Sequence, residues 1–179
     1  MPVRLPLLLA ASLSVATLTG GCSKDNKAPT SSSSTATCAT TTGAVAATKT
    51  ASASWAVVGK GGDLGALVRA EAVKAQAAGK KPVVYIGAGW CPPCAAIKKY
   101  KADTQMVAAF ERAYIIELDV DDWQADDLAA LHYNAKAVPI FIAVDKDAKA
   151  KGPTIDGGAW GDNIPANMAP PLTKFFASI

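Results

Sequence analysis

The chain has 179 residues, of which 50% are hydrophobic and 18% charged, and its formal net charge is +3. This charge is too weak and too dispersed to indicate nucleic-acid binding, so no nucleic-acid partner is predicted. Four cysteines are too few for a disulfide-dense scaffold. When the atypical residues 1–54 are set aside, residues 55–179 make one domain of ordinary size.

The first segment, residues 1–21, is predicted to be a signal peptide of the lipoprotein type. Arg4 gives a positive start, and the apolar run that follows is too short to be a comfortable transmembrane helix. The segment ends in two glycines before Cys22, which resembles the lipobox of bacterial lipoproteins. That resemblance implies a lipid on Cys22, a membrane anchor and a periplasm-facing position in the bacterial cell envelope, with Ser23 favouring the outer membrane. An ordinary cleaved signal peptide with a free Cys22 thiol is the alternative.

Residues 22–54 are rich in Ser, Thr and Ala and are predicted to be a disordered tether, because they cannot bury enough apolar surface to offset their ordering entropy. As a flexible coil they would span on the order of 30 Å. Cys38 lies alone in this tether. It is an incidental thiol, a partner of Cys22 or an intermolecular bridge, and the sequence does not decide between these.

The domain opens with a predicted strand over residues 55–58. Asp63 is a good N-cap for a helix that runs to about Ala78, where Gly79 ends it. Residues 82–86 then form a continuous apolar and β-branched run, which is typical of a strand buried on both faces of a sheet.

The sequence Trp90-Cys91-Pro92-Pro93-Cys94 follows that strand directly and precedes a predicted helix over residues 95–100, with Lys98 on its solvated face. A cysteine at a helix N-terminus is favoured as a thiolate by free backbone N–H groups and the helix dipole. The thiolate is the species that attacks a disulfide. Half of a zinc site has the same spacing, but the remaining ligands are missing, so no metal is predicted.

The second half of the domain alternates strands and helices. A strand is predicted over residues 114–120, followed by an acidic loop to residue 127. A helix is predicted over residues 128–134 and includes His132, as a surface or half-buried residue. The later predicted elements are an apolar strand that has Pro139 at its first position and runs to Val144, a turn at residues 145–147, a last strand from Thr154 and a helix over residues 172–177.

Residues 55–179 resemble the thioredoxin superfamily, and the string YIGAGWCPPC at residues 85–94 resembles most the branch with the C-terminal domain of DsbD and related thioredoxin-like lipoproteins. The resemblance implies an α/β fold with a central mixed β-sheet flanked by helices. It implies that Cys91 attacks disulfides and Cys94 resolves the product. It also implies that Trp90, Val138 and a cis Pro139 support substrate binding, with the Val138 backbone pairing with a substrate peptide.

The implied function is that of an exported thiol–disulfide oxidoreductase that needs no cofactor. Its partners would be protein disulfides and a redox partner protein. Two other functions remain open: a Cu(I) metallochaperone that binds through Cys91 and Cys94, and a redox-idle interaction module. Copper-handling members generally add a histidine or methionine placed beside the dithiol, and the sequence shows none in such a place. The intact dithiol with Pro139 argues against an idle module.

The sequence departs from the family at Tyr85 and at Gly89, where the DsbD-like branch often carries another aspartate. Tyr85 stands where many thioredoxins carry a buried aspartate that activates the resolving thiol, so Glu117, together with the Tyr85 hydroxyl, is the predicted base for Cys94. Pro92 and Pro93 also remove two backbone N–H groups, which leaves those of Cys94 and Ala95 to face the Cys91 sulfur. Fewer donors stabilise the Cys91 thiolate less. This predicts a Cys91 pKa closer to about 7 than to the value of about 3.5 of a strong oxidant, and hence a reductant or isomerase role.

Overall fold

The computed structural model describes residues 52–179. The predicted signal peptide, Cys22, Cys38 and almost all of the tether lie outside the described residues. The first strand begins at Ser54, the last residue of the predicted tether. Within the described residues, no helix has both the length and the apolar character that crossing a membrane requires.

The described domain contains five strands and five α-helices in chain order. The strands are β1 (Ser54–Val57), β2 (Lys81–Gly87), β3 (Ala113–Asp119), β4 (Ile140–Val144) and β5 (Ala150–Asp156). The helices are α1 (Leu64–Ala77), α2 (Pro92–Tyr100), α3 (Thr104–Ala109), α4 (Ala125–Ala130) and α5 (Pro165–Ser178). Short 3-10 turns follow β3 at Val120–Asp122 and β5 at Gly157–Ala159.

The strands form one mixed sheet in the order β1-β3-β2-β4-β5. The pairs β1–β3 and β2–β3 are parallel, whereas β2–β4 and β4–β5 are antiparallel. The predicted fold class, a central mixed sheet flanked by helices, is confirmed. β2 lies at the centre, and its residues from Val83 to Gly87 are all buried, which explains why its sequence is continuously apolar.

Each face of the sheet packs against its own hydrophobic cluster, because side chains alternate along a strand. On one face, Val83 and Tyr85 of β2 pack with Ile97 of α2 and with residues of α3 and α5. On the other face, Val84 and Ile86 pack with residues of α1 and α4. The dithiol lies at the end of β2, where α2 begins.

The C-terminal helix differs from the prediction, since α5 begins at Pro165 and not at Leu172. Pro165 occupies the first turn, where a missing N–H costs nothing. Pro170 and Pro171 lie inside the helix. Met168 and Ala169 are buried in the core, and this packing offsets the hydrogen bonds that the two prolines remove.

The helix predicted over residues 128–134 is also wrong in its limits, because α4 ends at Ala130. His132 follows it in a left-handed conformation with φ of 63° and is exposed. Its N–H bonds the Ala129 carbonyl, and the Tyr133 N–H bonds the Leu128 carbonyl. This is a Schellman ending, and no glycine marks it in the sequence.

Two strand limits differ from the prediction as well. β4 begins at Ile140, and residues 137–139 form a loop before it. β5 begins at Ala150 and not at Thr154. Pro153 is tolerated inside β5 because this strand pairs only with β4 and its other edge is open.

Candidate active site

The two cysteines of the motif lie at the start of α2. Cys91 is the N-cap, with extended backbone (φ −89°, ψ 113°), and Pro92 and Pro93 occupy the first turn. The helix therefore begins at Pro92, earlier than the predicted Ala95. Proline is well suited to this position because the first N–H groups of a helix have no intrahelical acceptor.

A disulfide joins Cys91 and Cys94, with 5.2 Å between their Cα atoms. Cys94 is fully buried, while 3% of Cys91 is exposed. Both pack in a small cluster with Ala88, and Val120 and Val138 border this cluster. The pair is thus held at disulfide distance, and Cys91 is the more accessible of its two members.

The donors that face the Cys91 sulfur differ in one respect from the prediction. The Cys94 N–H donates to Cys91 Sγ at 3.2 Å, as predicted. The Ala95 N–H instead donates to the Cys91 carbonyl oxygen at 3.1 Å, the ordinary bond to residue i−4 of an α-helix. One amide therefore supports the sulfur where two were predicted.

The loop before β4 lies against the dithiol. The Val138–Pro139 peptide bond is cis, as the resemblance implies. The Val138 carbonyl oxygen is 3.6 Å from Cys91 Sγ. The Gly157 N–H donates to the Pro139 carbonyl at 3.0 Å, and a Cβ on Gly157 would meet Pro139 Cδ at 3.1 Å. The loop is thereby held from the side of β5.

Trp90 lies beside the dithiol with 67% of its surface exposed. Its Nε1–H donates to Asp121 Oδ2 at 2.8 Å, which fixes the indole ring. Sequence reasoning missed Asp121, which it placed only in an acidic loop. A cavity of about 370 Å³ lies beside the indole ring. It is lined by Trp90, Val120, Ala135, Lys136, Ala137 and Val138. A larger cavity of about 610 Å³ is lined by residues of β5 and α5. Neither the cysteine motif nor the loop before β4 contributes a residue to it.

Tyr85 and Glu117 are partners in the register of β2 and β3. Tyr85 is fully buried, and its hydroxyl has no hydrogen-bond partner. Burial raises the pKa of Tyr85 far above its ordinary value, and the charges of Glu117 and Asp119 raise it further. The hydroxyl therefore stays protonated at neutral pH.

Glu117 forms an ion pair with Lys98, with 2.7 Å between Lys98 Nζ and Glu117 Oε1. The Lys98 side chain is 48% exposed, so this residue, predicted to be solvated, also ties α2 to β3. The role of Glu117 as a base for Cys94 stays a prediction. Among residues 52–179, no group of three or more His, Cys, Asp or Glu side chains could hold a metal ion.

Comparison with known proteins identifies the fold. No protein-family model matches the chain. The chain is 32% identical over 81 residues to a protein named Thioredoxin H-type from Oryza sativa subsp. indica. This match covers 45% of the chain and 62% of that relative, less than two thirds of its length.

Two solved structures are similar to the chain. One is a disulphide isomerase from Xylella fastidiosa Temecula1, with 21% identity, a TM-score of 0.50 and coverage of 68% of this chain and 94% of that one. The other is a Schistosoma mansoni thioredoxin pre-protein, with 24% identity, a TM-score of 0.43 and coverage of 69% and 98%. The first similarity, together with the mixed five-stranded sheet, shows that the described domain has the thioredoxin fold.

Proposed function

We propose that this protein is a thiol–disulfide oxidoreductase that reduces or isomerises protein disulfides. The observation that carries the proposal is the Cys91–Cys94 disulfide at the start of α2, facing the cis Val138–Pro139 loop. The more accessible cysteine is the N-cap, where an amide supports its sulfur, and the second cysteine is fully buried one helical turn further on. The partners are protein disulfides and a redox partner protein that restores the dithiol.

The reaction is an exchange of sulfur–sulfur bonds. The Cys91 thiolate attacks one sulfur of a substrate disulfide, and the other substrate sulfur leaves as a thiolate. The Cys94 thiolate then attacks Cys91 Sγ in the mixed disulfide and releases the second substrate thiolate. The substrate gains two electrons, and the protein is left with the Cys91–Cys94 disulfide.

The helix start favours the reducing or isomerising direction. A strong oxidant stabilises its attacking cysteine as a thiolate, with a pKa of about 3.5 in the extreme case. Here a single amide, that of Cys94, donates to Cys91 Sγ, and prolines occupy the two preceding positions. A weakly stabilised thiolate makes the disulfide a poorer oxidant.

Reduction of insulin by the full chain tests this activity, with glutathione or dithiothreitol as the electron source. Replacing Cys91 by serine should abolish the reaction. Replacing Cys94 by serine should instead trap a mixed disulfide between Cys91 and the substrate. A Cys38→Ser variant is the matched control, because it removes a cysteine outside the site. Equal insulin reduction by the parent and the Cys91→Ser variant would refute the proposal.

We also propose that the protein is exported and anchored by a lipid on Cys22 at the periplasmic side of the bacterial envelope. The support is the apolar leader and the small residues before Cys22. Radiolabelled palmitate fed to a bacterial expression host should label the parent protein and not a Cys22→Ser variant. Labelling of both, or of neither, would remove the lipid anchor from the account.

A further inference from the structure

One buried hydroxyl on the central strand β2 has no hydrogen-bond partner. Within residues 52–179, two buried side-chain polar atoms have no hydrogen-bond partner, Tyr85 Oη and Trp123 Nε1. Tyr85 is fully buried. A buried hydroxyl without a partner destabilises the fold, and phenylalanine would fill the same space without this cost. We therefore look for a state of the protein in which the Tyr85 hydroxyl forms a hydrogen bond.

The neighbours of the ring fix the direction of this hydroxyl. Trp55 packs edge-on against the Tyr85 ring at 6.0 Å, and Phe141 packs against it at 4.9 Å. A Cβ on Gly87 would lie 2.9 Å from Tyr85 Oη. The hydroxyl therefore lies over Gly87, the last residue of β2, in space that a side chain there would occupy. The next residue, Ala88, belongs to the dithiol cluster.

The inner face of α2 covers the same part of the sheet. Cys94 and Ile97 are the buried residues of this helix, and their spacing places them on one face. Ile97 packs in the same hydrophobic cluster as Tyr85. Cys94 precedes Ile97 on that face and packs with Ala88. The hydroxyl thus points toward the end of β2 at which the Cys94 sulfur is buried.

The neighbouring carboxylate is engaged elsewhere. Glu117, the register partner of Tyr85, is paired with Lys98 at 2.7 Å. The Tyr85 hydroxyl keeps its proton, because burial raises its pKa. It can therefore donate a hydrogen bond to a thiolate, but it cannot act as the base that removes the thiol proton.

We infer that the Tyr85 hydroxyl donates a hydrogen bond to the Cys94 sulfur when the disulfide opens and loses this bond when the disulfide closes. The inference rests on the proposed function, in which the dithiol cycles between these states. When a donor thiolate attacks Cys91 Sγ, the bond between the two cysteines breaks and its electron pair leaves on Cys94 Sγ. The new thiolate accepts the hydrogen bond, and the proton stays on the tyrosine oxygen. A second donor thiolate then displaces Cys91, and the donor becomes the disulfide.

This arrangement biases the redox equilibrium. The closed state contains an unpaired hydroxyl, and the open state pairs it with the Cys94 sulfur, so the hydrogen bond favours reduction of the disulfide. Tyr85 is in this sense a positioning residue that makes the protein disulfide easier to reduce.

The test compares Tyr85→Phe with its parent, in full chains that carry Cys22→Ser and Cys38→Ser so that only the dithiol reacts. The fraction of disulfide is measured by alkylation and mass spectrometry in glutathione buffers. Tyr85→Phe should shift the equilibrium constant about tenfold toward the disulfide, which makes the potential about 30 mV more negative. Tyr114→Phe is the matched control, since its hydroxyl bonds Glu71 on α1, and it should leave the potential unchanged.

An unchanged potential in Tyr85→Phe, or an equal shift in Tyr114→Phe, would overturn the inference. Wild-type protein with ¹³C-labelled tyrosine gives a second test that needs no variant. The Cζ signal of Tyr85 should move on reduction more than that of Tyr114, and an unmoved signal would also overturn the inference. Insulin reduction is measured separately, so a protein that equilibrates with glutathione but does not reduce insulin refutes the proposed function alone.

Discussion

The number of amide groups that face Cys91 should set the pKa of its thiol, and Pro93 is the residue that limits this number. An N-cap side chain accepts from the N–H groups of the second and third helical residues. Here the second is Pro93, which has no N–H, and the third is Cys94, whose N–H donates to Cys91 Sγ at 3.2 Å. Pro93→Ala restores the missing donor.

The size of the effect follows from the strength of one added bond to a charged group. Such bonds contribute about 1.5–3 kcal/mol, and Pro93 is only half-buried, so the lower end applies. Since one pKa unit corresponds to about 1.4 kcal/mol, the pKa should fall by about one unit. At a pH well below the pKa of both proteins, the thiolate fraction should therefore rise about tenfold.

The assay is the pH dependence of iodoacetamide alkylation of the reduced protein, with ultraviolet thiolate absorbance as a second readout. Pro92→Ala is the matched control, because it restores the N–H of the first helical residue, which does not reach the N-cap side chain. Pro93→Ala should therefore lower the Cys91 pKa much more than Pro92→Ala. An unchanged pKa in Pro93→Ala, or equal shifts in the two variants, would show that Pro93 does not limit the donors to Cys91.

Three further predictions concern the surroundings of the dithiol and the sheet. Gly87→Ala should destabilise the fold by about 1–3 kcal/mol in urea denaturation, because its Cβ would meet the Tyr85 hydroxyl at 2.9 Å; wild-type stability would contradict this. Glu117→Gln should slow resolution of a trapped mixed disulfide if Glu117 is the base for Cys94, and an unchanged rate would remove that role. Tyr114→Phe should cost about 1 kcal/mol at neutral pH, because Tyr114 donates to Glu71 at 2.7 Å. Bonds from Lys74 and Tyr114 lower the Glu71 pKa, so this stabilisation is present above the unfolded pKa of about 4.3 and is lost as pH falls through the folded value. A cost that is the same at pH 2 and pH 7 would contradict this assignment.

The parts of the fold that the sequence predicted are those with local signals. The buried strand β2 is a continuous apolar run, and the cysteine motif indicated that a helix follows it, although the start of α2 at Pro92 was missed. The strand and the helix each depend on residues adjacent in the chain, so a reading along the sequence finds them. The loop at Pro139 that faces the dithiol was expected from the family resemblance and not from the local sequence.

The features that were missed depend on partners distant in the chain. The bond from Trp90 to Asp121 requires the loop after β3 to lie beside the motif. The pair between Lys98 and Glu117 requires α2 to pack over β3. α5 passes through Pro170 because its neighbours are buried in the core, and tertiary packing here overrides the local preference.

The reduction potential of the Cys91–Cys94 pair, measured against glutathione in the full chain, is the most direct test of the proposed function. A reductant or isomerase should give a value between about −270 and about −180 mV. A value of about −120 mV would identify a strong oxidant and contradict the proposed role in reducing or isomerising disulfides. A value below about −300 mV would identify a structural disulfide and contradict the proposed catalytic cycle itself.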